Sequence, residues 1–140
     1  MAGQGAGARA ILWLSARHPA LRYGIALNDA GYFWEAQEVL EAVWAAAPQG
    51  GRERILLRAC IQIANANLKL RMRRPNATAR LWGEVLGEIK GLLSRRSAAR
   101  GDGFAERFPV AHLAILLEAR LAQATLSKTD WIAIGSIGKI

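Results

Sequence analysis

The chain has 140 residues, 52% of them apolar, a formal net charge of +8 and one cysteine. That length fits a single domain with a core of its own, the apolar content excludes global disorder, and one cysteine excludes an intrachain disulfide. No uncharged apolar run reaches the ~18 residues a membrane span needs, and the Gly/Ala-rich start, Met1 to Ala8, lacks the pattern of a secretory signal, so a reducing, cytoplasmic compartment is expected.

Residues 1–7 read as a frayed end, followed by a short helix from Ala8 to Arg17 that stops before Pro19, because the residue preceding a proline is pushed out of the α region. A second helix runs from Pro19 to Asp29. Proline suits a first helical turn and Gly31 a break. Leu21, Ile25 and either Leu27 or Asn28 approximate its apolar stripe.

The next helix, Tyr32 to Ala47, places Phe33, Gln37, Leu40 and Trp44 on one face at spacings of four, three and four, the period of a helix. Pro48-Gln49-Gly50-Gly51 ends it with turn chemistry. A longer helix, Arg52 to Arg73, buries Ile55, Leu56, Ala59, Ile63, Ala66 and Leu70, and Pro75 stops it.

A helix from Ala77 to Arg96 carries Trp82, Val85, Leu86, Ile89 and Leu93 on its apolar face. Gly83, Gly87 and Gly91 repeat every four residues. They either form a ridge that lets a neighbour approach closely or are weak spots on a solvent face, each costing about 0.8–1.0 kcal/mol of helix propensity.

Residues 97–109 read as a loop, and a last helix runs from Val110 to Leu126. Its apolar positions extend nearly all round, the pattern of a buried or interfacial helix. The apolar tail, Trp131 to Ile140, is expected to dock on the bundle or on a second copy of the chain. With no strand pair and no internal repeat, residues 1–140 read as one all-α domain, a compact antiparallel bundle of about five to six helices.

Several apparent motifs are decoys. Gly3-Gln4-Gly5-Ala6-Gly7-Ala8 matches a relaxed dinucleotide fingerprint, but that motif requires a preceding strand to aim the turn. Asn76-Ala77-Thr78 is a sequon without a secretory signal to support it. Cys60, in an apolar helix without a spaced histidine, reads as a buried structural thiol. His18 and His112 are isolated.

The distinctive stretch is 28–44. Glu38 and Glu41 are three apart on one helix and face a similar direction, Gln37 and Trp44 flank Glu41, and Trp34 lies one turn before Glu38. Two carboxylates, a carboxamide and two indoles can line a pocket for a cation or polar ligand. The following helix carries a polar row, Arg54, Arg58, Gln62, Asn65 and Lys69. If the two helices pack antiparallel, this row meets Glu38 and Glu41. The outcome is then either a register-setting salt-bridge network, since buried charges need partners, or a ligand site of Trp34, Gln37, Glu38, Glu41, Trp44, Gln62, Asn65 and Lys69.

The same segments resemble a known family. Its pattern opens with Asn-x-Gly-x-Tyr and continues Glu-Ala-His-Glu-x-x-Glu-x-x-Trp. A later helix carries Leu-Ile-Gln-x-Ala, and a Gly-Asn-Pro turn follows. Here stand Asn28, Ala30, Gly31 and Tyr32, then Glu35, Ala36, Gln37, Glu38, Glu41 and Trp44, then Cys60, Ile61, Gln62, Ile63 and Ala64, then Pro75. Residues 28–93 thus resemble the family called domain of unknown function 309, small helical proteins. The resemblance implies the fold and supplies no reaction. Gln37 replaces the family's usual His, Lys69 stands near a position that often carries His, and Arg73-Arg74 replace Gly-Asn. A carboxylate–histidine metal site would lose its nitrogen ligands here, and a carboxamide oxygen is a weak substitute. No metal and no cofactor are expected.

Charge is concentrated in the middle of the chain. Residues 51–100 carry +9, against −1 for 1–50 and zero for 101–140. A basic patch of Lys69, Arg71, Arg73 and Arg74 ends one helix, where cations suit the dipole. Nucleic acid is a conceivable partner of such a surface, but no paired aromatics stand beside it for base readout. The leading expectation is a non-catalytic helical protein that self-associates or binds a protein partner. The rivals are a small-ligand or enzyme-like site on Glu38, Glu41 and Gln62, and nucleic-acid binding by the 51–100 region.

Overall fold

A computed structural model describes residues 19–47, 51–94 and 107–139. Five α-helices follow one another there: α1 (Pro19–Asp29), α2 (Phe33–Ala46), α3 (Arg52–Arg71), α4 (Pro75–Ser94) and α5 (Val110–Leu121). A short 3-10 helix, Ile134–Lys139, closes the described chain. No strand occurs among the described residues. The fold is all-α, as the periodicity predicts. The helix expected over Ala8–Arg17 and most of the 97–109 loop lie outside the described residues.

Each helix packs against the next in the chain, α1 on α2, α2 on α3, α3 on α4 and α4 on α5, while the 3-10 segment packs on both α1 and α5. The C-terminal segment therefore joins the first described helix to the last. Leu21, Ile25, Leu40, Leu56, Ile63, Trp82, Val85, Ile89, Leu113 and Leu117 form one core with Ile132, Ile134 and Ile137.

Two tight turns set the helix pairing. After α1, Gly31 takes φ 96; its N–H donates to Asn28 O at 2.9 Å, and that of Tyr32 to Leu27 O at 2.8 Å. This is a Schellman cap, which requires a left-handed residue. After α3 the same pair of bonds recurs, Arg73 N–H to Leu70 O and Arg74 N–H to Lys69 O, both 2.9 Å. There the left-handed residue is Arg73, φ 60. Pro75 then opens α4, where its missing N–H costs nothing.

Gly24 of α1 lies against α2 so closely that a methyl group there would sit 2.8 Å from Leu40 Cγ and Cδ2. Gly83 and Gly87 have no atom within 4 Å of where a methyl would stand. Of the two readings of the glycine repeat, these two positions follow the open solvent face rather than a close-packed ridge.

The last helix is shorter than its apolar pattern predicts, ending at Leu121 instead of Leu126. Beyond it, Ser127 and Asp130 hydrogen-bond each other's backbone and side chain, offering the chain a turn in place of another helical turn. Nor is that helix buried all round: Val110, Leu113, Ala114 and Leu117 are buried, while Ile115 is exposed.

Candidate functional site: a polar clamp on the C-terminal segment

Three polar side chains at the core's edge hold the tail. Asn28 and Asn67 are fully buried. Asn28 ends the inward stripe of α1, one turn after Ile25 and Gly24. Asn67 lies four residues after Ile63 and three before Leu70, at a core position of α3. Both amides are thus carried inward by helix periodicity, facing the segment that bridges α1 and α5.

Asn67 Nδ2 donates to Ile132 O at 2.8 Å and to Asn28 Oδ1 at 2.8 Å. Its Oδ1 accepts from Ile132 N at 2.8 Å. Asn28 Nδ2 donates to Ile132 O at 3.1 Å and to Asp29 Oδ1 at 3.0 Å. All four amide N–H groups of the two side chains have an acceptor, and both amide oxygens have a donor. This complete satisfaction removes the cost of burying them.

Asp29 completes the clamp. Its Oδ1 accepts from Ile134 N and its Oδ2 from Gly135 N, each at 2.7 Å. These are the first N–H groups of the 3-10 helix, which lack partners within it. Burial pushes the Asp29 carboxyl above the usual carboxylate range, and the bonds from Asn28, Gly135 and Ile134 pull it part of the way back.

The segment's side chains divide in role. Ile132, Ile134 and Ile137 are buried, while Ala133 is half-buried and Ser136 exposed. Trp131 meets the buried ring of Phe33, centroids 5.3 Å apart at 59°. The Arg71 guanidinium covers that Phe33 ring at 4.2 Å and also donates to Gly31 O. One member of the expected basic patch is thus a brace for the α1–α2 turn.

The constellation expected around Glu38 and Glu41 is dispersed. α2 and α3 do pack side by side. However, α2 turns Phe33, Ala36 and Leu40 inward, which leaves Trp34, Glu38 and Glu41 exposed. Neither glutamate has an ion-pair partner among the described residues. Gln37 Nε2 reaches back to Phe33 O at 3.4 Å. Arg54 stacks on Trp44 at 3.9 Å and donates to Trp44 O and Ala47 O, both at 3.0 Å, capping α2. Arg58 turns the other way, to Glu88 of α4 at 4.0 Å. Gln62, Asn65 and Lys69 are half-buried along α3, and Arg73 and Arg74 are exposed at its end. The polar row therefore serves α2's C-terminus and α4 rather than the glutamates.

Two open depressions, about 260 and 450 Å³, flank Pro75 and Leu126; neither is lined by Glu38 or Glu41. Among the described residues no three His, Cys, Asp or Glu side chains gather as a metal site. Cys60 is fully buried, and burial, then the nearby Asp29 charge, push its thiol well above the usual range. None of the described helices is long and apolar enough to cross a membrane.

The residues that sequence reading missed as site residues are Asn28, Asp29 and Asn67. The available signal was an amide at core spacing: Asn67 interrupts an otherwise apolar stripe, which demands a partner that periodicity does not identify.

A family model described as Domain of unknown function (DUF309) matches residues 21–81. Comparison with curated proteins and with solved structures yields no match.

Proposed function

Residues 21–81 match the DUF309 family model, and from that premise we propose that the chain is a non-catalytic protein-interaction module whose α1–α3 groove takes up a short apolar peptide. In the closed chain the occupant is its own segment Trp131–Ile137. The observation that carries this reading is the pair of bonds between the Asn67 carboxamide and the N–H and C=O of Ile132. They engage main chain whatever its side chain, while the buried places of Ile132, Ile134 and Ile137 supply selectivity. All three clamp residues lie within 21–81, and the segment they hold lies outside it.

The chemistry of the groove favours binding over turnover. Both Asp29 oxygens already accept backbone N–H groups, and Cys60 is kept as a buried neutral thiol. A free buried cysteine also fits a reducing, cytoplasmic setting. Three buried isoleucines contribute roughly 1.5–3 kcal/mol each.

The test is a protease site placed in the exposed stretch 122–125 of the full chain, cut after folding. The cut tail should stay bound and exchange for a labelled peptide of residues 129–140, and Asn67→Leu should abolish the exchange. A cut tail that no added peptide replaces, or exchange indifferent to Asn67, would overturn the reading.

A further inference from the structure

The groove is selective, and its requirements can be read from its occupant. Ile132, Ile134 and Ile137 are buried, so apolar groups are needed at those three places. A methyl group at Gly135 would stand 2.5 Å from Asp29 Oδ2, so the residue that follows the second isoleucine must lack a side chain. Ahead of them an aromatic ring meets Phe33. The required segment is aromatic-Ile-x-Ile-Gly-x-Ile, and every further copy of this chain carries it.

We propose that two copies of the chain exchange tails, each placing Trp131–Ile137 in the α1–α3 groove of the other. This rests on the peptide-groove reading above and names the partner.

The connection permits it. Of the stretch 122–130, only Leu126 and Asp130 are partly buried. Its polar ties are local: Arg120 to the Asp130 carboxylate at 4.0 Å and to its carbonyl, and Ser127 N–H to Asp130 Oδ2 at 2.6 Å; Leu126 is its one apolar contact with the core, and exchange must release it. Drawn out, nine residues span roughly 30 Å, about the length of a twenty-residue helix, which is enough to cross to a neighbour. Reciprocal exchange uses the same surface on both copies and closes as a two-fold dimer, leaving no groove or tail over. The intramolecular tail competes at an effective concentration on the order of millimolar. The closed monomer therefore prevails in dilute solution, and exchange emerges when closure in cis is disabled or the protein is concentrated.

Complementary full-length variants separate the two. One keeps its tail and loses its groove (Asn67→Leu, with Asp29→Ala as an alternative should the first not fold). The other keeps its groove and loses its tail (Gly135→Ala, with Ile134→Asp as the alternative). Each alone should be a monomer by light scattering. Mixed at about 100 µM, where no intact tail competes in cis, they should form a 1:1 complex of twice the mass. Disabling the one remaining tail as well should weaken that complex at least tenfold. If the mixture stays monomeric while the tail-disabled variant binds the free 129–140 peptide, tail exchange is overturned and the peptide groove stands. If neither partner nor peptide binds, both fall. A partner protein from elsewhere as the true occupant would give the first of these results.

Discussion

The carboxamide of Asn67 holds the backbone of Ile132 in both directions, donating to its carbonyl and accepting from its N–H, each at 2.8 Å across 65 positions of sequence. Asn67→Ala leaves Ile132 N and Asn28 Oδ1 without a partner in a buried setting. Each orphaned group costs about 1–3 kcal/mol, so urea unfolding should show a loss of about 2–6 kcal/mol. The amide of Ile132 should lose its protection from hydrogen exchange before those of α3 do. An unchanged midpoint would contradict the clamp.

Glycines predict opposite signs at different places. Gly24→Ala drives a methyl into Leu40, which is fully buried and has nowhere to go, and should destabilise by about 1–3 kcal/mol. Gly83→Ala and Gly87→Ala meet open space and should each stabilise by about 0.5–1 kcal/mol. Thermal melts of the three variants check all of this.

Arg73 takes the left-handed conformation at the end of α3, where glycine is the usual residue. Arg73→Gly relieves that strain, partly offset by the greater freedom of glycine in the unfolded chain. A net gain of about 0.5–1 kcal/mol is expected in urea unfolding. A loss would mean that the arginine side chain contributes more than its backbone costs.

Asp29 links tail docking to pH. Its folded carboxyl is pushed above the usual range, chiefly by burial. A group shifted in that direction contributes fully below its unfolded pKa, and the contribution is lost as pH rises through the folded one. The stability of the natural chain relative to the non-titrating Asp29→Asn should therefore decline from pH 4 upward and level off once the carboxyl is ionised. A difference that grows with pH would show that the three hydrogen bonds outweigh burial.

Cys60 should resist modification. Its thiol is fully buried and held neutral, and the thiolate is the reacting form. Labelling by a thiol reagent should proceed only through unfolding and accelerate with urea in step with loss of helix. Rapid labelling of the native chain would place Cys60 outside the core.

The helices were legible because apolar spacing is a local property. Phe33, Leu40 and Trp44 mark α2, and Ile63, Ala66 and Leu70 mark α3, each within a few residues of the observed ends. The Glu38–Glu41 constellation misled because spacing shows which residues share a face and not whether that face turns inward. On α2 the inward face is chosen by Phe33, Ala36 and Leu40, which leaves the glutamates outside. The polar row of α3 looked like one surface, yet Arg54 and Arg58 turn to different helices.

What the order of residues dictated here is of short range: an all-α chain, the first four described helices within a turn of their observed ends, the break at Gly31 and the likeness of residues 21–81 to one family. Where Trp131–Ile137 rests, and that Asn28, Asp29 and Asn67 are the side chains that hold it, was settled in three dimensions. Those bonds join positions 65 to 106 apart, and local periodicity carries no record of which distant backbone group will satisfy a buried amide.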